Sequence, residues 1–284
     1  MGEKRAVITY NTWDSRSAEL AGQICALLQE NGVTPLVYDK LSEFDRLVGA
    51  AATDDVSDCI CMITVGGDGT ILHWGKLMAR HGKPLLGVNT GRLGFMATLE
   101  PSDIGRIPQL ILGDFSVSRR MLMQAEILKA DGTAVVKTAL NDVVIERDRL
   151  SKLPEFRVFS GDTEVLKLQA DGVIFGTPTG STAYSLSAGG PIIAPDMECI
   201  ECTPLCPHTL FSRPMIFSVS RPITLSCTPY QGSRVTISVD GERGIPFEEG
   251  DRLRLTRSEG ELRIIEAGDG FFGAVRNKLM TPLK

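Results

Sequence analysis

Val65-Gly66-Gly67-Asp68-Gly69-Thr70 joins two stretches of different periodicity. The run before it, from Cys59 through Val65, is apolar apart from Thr64 and suits a buried strand. After it, Ile71, Leu72, Trp74, Leu77 and Met78 recur at helical spacing. The reading is strand, glycine turn, helix. Glycines let a backbone approach a ligand closely, and the N–H groups of the turn and helix start can receive phosphate oxygens. Asp68 is the odd element, because a carboxylate repels phosphate unless it holds a metal, orients a hydroxyl or removes its proton. The structural alternative is that Asp68 only caps the helix.

Upstream, Ala6 to Tyr10 reads as a first strand and Ser17 to Gln29 as a helix with the stripe Leu20, Ile24, Leu27, Leu28, closed by Asn31-Gly32. Val33 to Tyr38 is a second strand, and Leu41 to Ala52 an acidic, loosely amphipathic helix or loop. The strand from Cys59 then delivers Asp68 at its carboxyl end, where open α/β sheets place their ligands. Downstream, Leu85 to Val88 is a fourth strand that feeds a second glycine turn, Asn89-Thr90-Gly91-Arg92-Leu93-Gly94-Phe95, at the same sheet edge.

Near Pro101 the character changes. Asp103 to Leu112 reads as a helix, and after it come short strands: Phe115–Arg120, Leu122–Lys129, Ala134–Thr138, Asp142–Glu146, Phe156–Phe159, Glu164–Gln169, Gly172–Gly176, Met215–Val219, Ile223–Cys227, Val235–Val239 and Arg252–Thr256. One helix interrupts them from about Ser181, and Phe271 to Leu279 reads as a last short helix. The expected architecture is an α/β, Rossmann-like N-terminal domain on an open, mostly parallel sheet (1–100), an all-β, sandwich-like domain (101–265), and a C-terminal segment (266–284) that returns to the first.

With 284 residues, 43% hydrophobic and 23% charged, the chain can build real cores without a staple. The formal net charge of -5 argues against nucleic acid or a membrane surface as partner. No apolar run reaches spanning length, and the expected setting is a soluble cytoplasmic one. Seven cysteines scattered among apolar residues fit a reducing compartment. Cys199, Cys202, Cys206 and His208 are spaced closely enough to hold zinc, but they match no finger or ribbon, and Pro204 and Pro207 interrupt them. Buried small hydrophobes and a loop histidine are the expectation, with no metal site.

Three polar stretches are poorly explained by folding alone. Asn141-Asp142 precedes a strand, Asp171-Gly172 begins another, and Thr177 through Pro191 crowds hydroxyl side chains and three glycines around a helix start. Such a block suits hydrogen bonding to a base, a ribose or a phosphate. No GxxxxGK[ST] or GxGxxG pattern is present, which excludes a P-loop kinase and weakens a Rossmann dehydrogenase. An acid in a phosphate-cradling turn points instead to phosphoryl transfer onto a hydroxyl, with Mg²⁺ offsetting charge on the donor.

In order along the chain, Gly66–Thr70, Asn89–Phe95, Asn141-Asp142, Asp171, Thr177–Pro191, Pro207-His208 and Arg213-Pro214 resemble the motif series of the NAD kinases. The resemblance implies transfer of a phosphoryl group from ATP to the 2′-hydroxyl of the adenosine ribose of NAD, giving NADP. It implies that Asp68 activates that hydroxyl, that Gly69 lies beside the dinucleotide and Phe95 near the adenine, and that Asn141 and Asp142 hold ribose hydroxyls. Thr182, Ala183 and Ser187 match contacts to the adenine and nicotinamide portions, and Tyr184 lines the site. Gly67, Arg92 and Thr179 belong to the same set. Asp171 matches an acid that reaches NAD from a neighbouring subunit, so a homodimer or homotetramer is implied, with the site expected in a cleft between the domains.

Asp142 is one methylene shorter than the glutamate of many relatives, and inorganic polyphosphate stays open as an alternative donor. The other readings are a lipid kinase of the diacylglycerol or sphingosine type, which shares the glycine-aspartate turn, and an NAD-sensing module without turnover. A lipid kinase needs an apolar acyl channel, whereas the hydroxyl block suits a dinucleotide.

Overall fold

A computed structural model describes residues 3–38, 51–53, 55–91, 94–148, 152–209, 212–230, 234–268 and 270–280. The chain divides into two compact units, Met1–Arg119 with Gly260–Lys284, and Arg120–Glu259.

The first unit is a βα succession: β1 (Lys4–Tyr10), α1 (Ser15–Glu30), β2 (Val33–Tyr38), β3 (Ala51–Thr53), β4 (Met62–Gly66), α2 (Asp68–Arg80) and β5 (Pro84–Asn89). The strands are parallel in the order β5-β4-β1-β2-β3. The helix or loop expected over 41–52 lies outside the described residues as far as 50, and 51–53 form the edge strand. Every residue of β4 is buried, as a central parallel strand requires, which is why Cys59–Val65 reads as a continuous apolar run. Asp14 caps α1 by accepting the Arg16 N–H, and Leu20, Ile24 and Leu28 pack with Ile8, Ile63 and Val65 in one buried cluster. The segment read as a helix over 103–112 is a 3₁₀ turn (Pro101–Arg106) running into α3 (Ile107–Leu112). Ile107 and Ile111 join that same cluster, so this segment belongs to the first unit.

The second unit is built from β6 (Val117–Leu128), β7 (Ala134–Ala139), β8 (Asp142–Arg147), β9 (Glu155–Ser160), β10 (Thr163–Gln169), β11 (Gly172–Gly176), α4 (Tyr184–Ser187), β12 (Cys199–Leu205), β13 (Met215–Ser218), β14 (Ile223–Thr228), β15 (Val235–Val239), β16 (Ile245–Phe247) and the start of β17 (Arg252–Ile265). One sheet runs β13-β12-β11-β8-β15-β16 and the other β10-β9-β14-β17, with antiparallel pairing in both. Val143, Ile145, Val173, Phe175 and Ile237 of the first meet Phe156, Val158, Leu225, Leu253 and Leu255 of the second in a shared core, the arrangement of a sandwich. Past Gly260, β17 continues in the first unit, where Arg263 and Ile264 pair in parallel with β5.

Two expectations change in the second unit. The strands read over 115–120 and 122–129 form the single long β6. The cysteine-rich stretch is a strand, β12, with every residue from Cys199 to Pro204 buried. Pro204 is tolerated because β13 pairs β12 only over Cys199–Cys202, so Pro204 has a neighbour on one side alone.

Candidate active site

Asp68 is the first residue of α2, at the carboxyl end of β4, with Gly67 as the cap. Its carboxylate is turned toward the second glycine turn rather than its own helix start: Oδ2 accepts the Phe95 N–H at 2.7 Å, and Oδ1 accepts Met96 N–H at 3.1 Å and Ala97 N–H at 3.3 Å. A carboxylate offers about four lone-pair positions, so roughly one is left, on Oδ2. Gly94 makes this contact possible, since a Cβ there would fall 1.9 Å from Oδ1. The turn itself is braced by Asn89, 1% exposed, whose amide donates to Gly91 O and Glu100 and accepts the Gly91 N–H. The Thr90 and Ser17 hydroxyls lie 2.9 Å apart. Among the described residues, no side chain or backbone approaches the place a Cβ would take on Gly67 or Gly69, and neither has a positive φ. The described residues thus leave space over the first turn of α2, whose leading N–H groups have no partner within the helix.

Phe95 is half-buried. Its ring lies 6.4 Å from that of Phe271, at the start of α5 (Gly270–Val275), and Lys278 Nζ sits 4.3 Å over its face from the π-helical turn that follows. Arg92, the remaining candidate of this turn, lies outside the described residues.

In the second unit, Asn141, Asp142 and the block from Thr177 come together because β8 and β11 are antiparallel neighbours, with Gly176 opposite Asp142. Thr177 N–H donates to Asn141 O at 2.8 Å, and Thr177 Oγ1 donates to Leu140 O at 2.5 Å. Gly180 rides so close that a Cβ would fall 2.0 Å from Asn141 O. The hydroxyls divide into two groups. Thr177, Ser181 and Ser185 are fully buried and bonded within the protein, Ser181 to Pro178 O and to the Ile193 N–H, and Ser185 to Glu201 and Thr203. Tyr184 and Ser187 are exposed, Thr182 and Ala183 half-buried. Thr179 is 4% exposed, and its Oγ1 has no hydrogen-bond partner among the described residues.

Asp142 is 6% exposed; burial first, then the negative charge of Asp240, push its carboxyl up to about 6. The sequence reading missed Asp240. Its carboxylate accepts N–H bonds from Leu140, Asn141 and Asp142 at 2.8–3.2 Å, and it holds the left-handed conformation at φ 50° that a turn before Gly241 needs. An aspartate before a glycine, at the end of a strand, was the signal available.

Asp171 stands apart from this group. It precedes β11 whereas Thr177 follows it, which separates the two by about 20 Å at a rise of ~3.3 Å per residue. There it pairs with Arg147, whose Nε and Nη2 lie 2.8 and 2.7 Å from Oδ1. Cys199 and Cys202, three residues apart, face opposite sides of β12, and Cys206 is exposed beyond its end. Among the described residues no group of three or more His, Cys, Asp or Glu is arranged to hold a metal ion.

A carboxylate with one acceptor position left, beside a glycine-rich helix start, suits a phosphotransferase that acts on a hydroxyl, and the comparisons with known proteins give that class. Residues 7–114 match the ATP-NAD kinase N-terminal domain and residues 140–267 the ATP-NAD kinase C-terminal domain. The chain is 36% identical over 279 residues to the NAD kinase of Moorella thermoacetica, covering 97% of this chain and 89% of that one. It is 38% identical over 225 residues to the NAD kinase of Desulforamulus reducens, 78% of each. The crystal structure of yeast NADH kinase complexed with NADH superposes with a TM-score of 0.85 at 25% identity, over 99% of this chain and 89% of that one. The chain belongs to the NAD kinase family: it is an enzyme that uses ATP to phosphorylate NAD to NADP.

Proposed function

We propose that Asp68 is the catalytic residue of this reaction and that it acts through Oδ2. The three backbone N–H bonds that fix its carboxylate carry the reading, since they leave a single acceptor position for an incoming hydroxyl. That hydroxyl is the 2′-OH of the adenosine ribose. The bond from O2′ to the γ-phosphorus forms, the bond from that phosphorus to the β,γ-bridging oxygen breaks, ADP leaves, and the hydroxyl proton passes to Asp68. The free N–H groups at the start of α2 and the open faces of Gly67 and Gly69 receive phosphate oxygens.

Asn141 and Asp142 hold ribose hydroxyls, Thr182, Ala183 and Ser187 contact the adenine and nicotinamide portions of NAD, and Thr179 and Tyr184 line the site. Phe95 serves the adenine side, and Arg92, three residues before it, belongs to the same set. The ion enters with the nucleotide as MgATP, a substrate complex in which magnesium keeps phosphate and water ligands. Asp171 serves the site of a neighbouring subunit in a homodimer or homotetramer. Seven free thiols, six of them buried, suit the reducing cytoplasm.

The deciding assay supplies Mg²⁺ with ATP or polyphosphate, offers NAD and NADH separately, and reads the product with an NADP-specific dehydrogenase. Product from ATP and NAD that vanishes in Asp68→Asn, while NAD still binds by calorimetry, is the expected result. Near-normal turnover in that variant would remove the base role.

A further inference from the structure

Beneath the hydroxyl block lies a buried acid that the reaction does not use. Glu201 is fully buried in the middle of β12, opposite Gly176 of β11 on one side and Ile216 of β13 on the other. Its neighbours Ile200 and Cys202 point into the sandwich core, so Glu201 and Thr203 project from the other face. There the side chain fills space left by two glycines. A Cβ on Gly190 would fall 2.0 Å from Oε1, and one on Gly176 would fall 3.3 Å from Oε2. Oε1 is 2.7 Å from the Ser185 hydroxyl and 2.7 Å from the Thr203 hydroxyl, and those two hydroxyls are 2.9 Å apart.

Three contacts among three oxygens need three protons. Ser185 and Thr203 supply one each. With an ionised Glu201, one contact of the triangle would press lone pairs together; a proton on Oε1 supplies the third and closes the ring. Oε2, buried without a partner among the described residues, is likewise tolerable as a carbonyl oxygen and costly as half of a carboxylate. Burial pushes the acid up from its ordinary range, against the opposing pull of the two hydroxyls. The groups that face it are Ser185 from α4, and Thr203 and the Cys199 thiol from its own strand; Gly176, Gly190 and Ile216 bring none that titrates.

We propose that Glu201 is a positioning residue for NAD: as a neutral carboxylic acid it closes a three-proton ring with Ser185 and Thr203 that fixes α4 and the turn at Gly190. Ser185 lies between Tyr184 and Ser187, so the ring sets where those side chains stand. The inference rests on the assignment of Tyr184 and Ser187 to NAD. Ionising Glu201 breaks the ring, so the KM for NAD rises with pH through the range in which this acid ionises, while kcat follows its own profile.

The test compares Glu201→Gln, which cannot ionise but can still donate, with Glu201→Ala and Tyr184→Ala. An infrared difference spectrum of wild type against Glu201→Gln at neutral pH is expected to show a protonated carboxyl band, and a carboxylate pair there would overturn the neutral acid. Glu201→Ala is expected to raise the KM for NAD about tenfold with kcat little changed, the scale of a lost buried hydrogen-bond partner. Glu201→Gln is expected to keep the KM within about twofold and to abolish its rise with pH. An unchanged rise with pH in Glu201→Gln would overturn the proposal. So would a normal KM in Glu201→Ala when Tyr184→Ala weakens NAD. A normal KM in both would remove the NAD assignment itself, and the proposal with it.

Discussion

A methyl group on Gly94 would fall 1.9 Å from Oδ1 of Asp68. The two residues are thus one device: the acid is held by the N–H groups of 95–97 only because the chain passes Gly94 without a side chain. Gly94→Ala, which removes no functional group, is expected to push the turn off the carboxylate and lower kcat about 10²-fold or more, the scale of losing a placed general base. Asp68→Asn should lower kcat as far. It should also cost about 1–3 kcal/mol of stability, because an amide nitrogen would be set against backbone donors. Steady-state kinetics beside thermal melts check both, and a Gly94→Ala enzyme with normal kcat would show that the turn does not place the acid.

Asp142 gives the site a pH dependence. Its carboxyl is raised to about 6 by burial and then by the charge of Asp240. A carboxylate accepts a ribose hydroxyl more strongly than a neutral acid does, so NAD affinity should climb as pH rises through about 6. Stability runs the other way. A carboxyl raised in the folded state contributes stability that is complete below the ordinary carboxylate range and is lost as pH rises through the folded value. Calorimetric titration of NAD across this window should give a flat profile in Asp142→Asn. In Asp240→Asn, which removes the like charge, the midpoint should move down.

The hydroxyl block should separate into residues that hold the fold and residues that hold NAD. Thr177→Val removes both the donor to Leu140 O and the acceptor for Gly180 N–H in a fully buried place, and should cost about 1–3 kcal/mol of stability. Ser187→Ala, at an exposed position, should stay within about 0.5 kcal/mol in stability while raising the KM for NAD. Denaturant unfolding and NAD kinetics on the two variants read the division, and a reversed pattern would refute it.

That division marks where the sequence stopped being legible. The strands and helices around Asp68 could be read because a central parallel strand is apolar on both faces and α2 repeats at helical spacing. The hydroxyl block could be found, but its members look alike in one dimension. Thr177 is turned inward where β11, paired with β8, ends against Asn141, while Ser187 stands exposed at the end of α4. β12 escaped because Glu201, Thr203 and Pro204 break the apolar run. The strand is buried on both faces all the same, with its polar members lying under the hydroxyl block rather than in solvent. Asp240 escaped for a related reason: its partners are backbone N–H groups about a hundred residues away, which no local pattern records.

Asp171 calls for a test in trans. It lies at the end of β11 remote from Thr177 and, with Arg147, stands about 20 Å along the strand from the hydroxyl block at ~3.3 Å per residue. If it completes the site of a neighbouring subunit, Asp68→Asn and Asp171→Ala subunits are each inactive alone yet complementary when mixed. In a randomly re-formed dimer, half the molecules are mixed and each carries one site with both acids, so an equimolar mixture should recover about a quarter of the wild-type activity. The measurement is a kinase assay before and after dissociating and reassociating the two proteins, with sedimentation to confirm exchange. Exchange without recovery would confine Asp171 to its ion pair with Arg147.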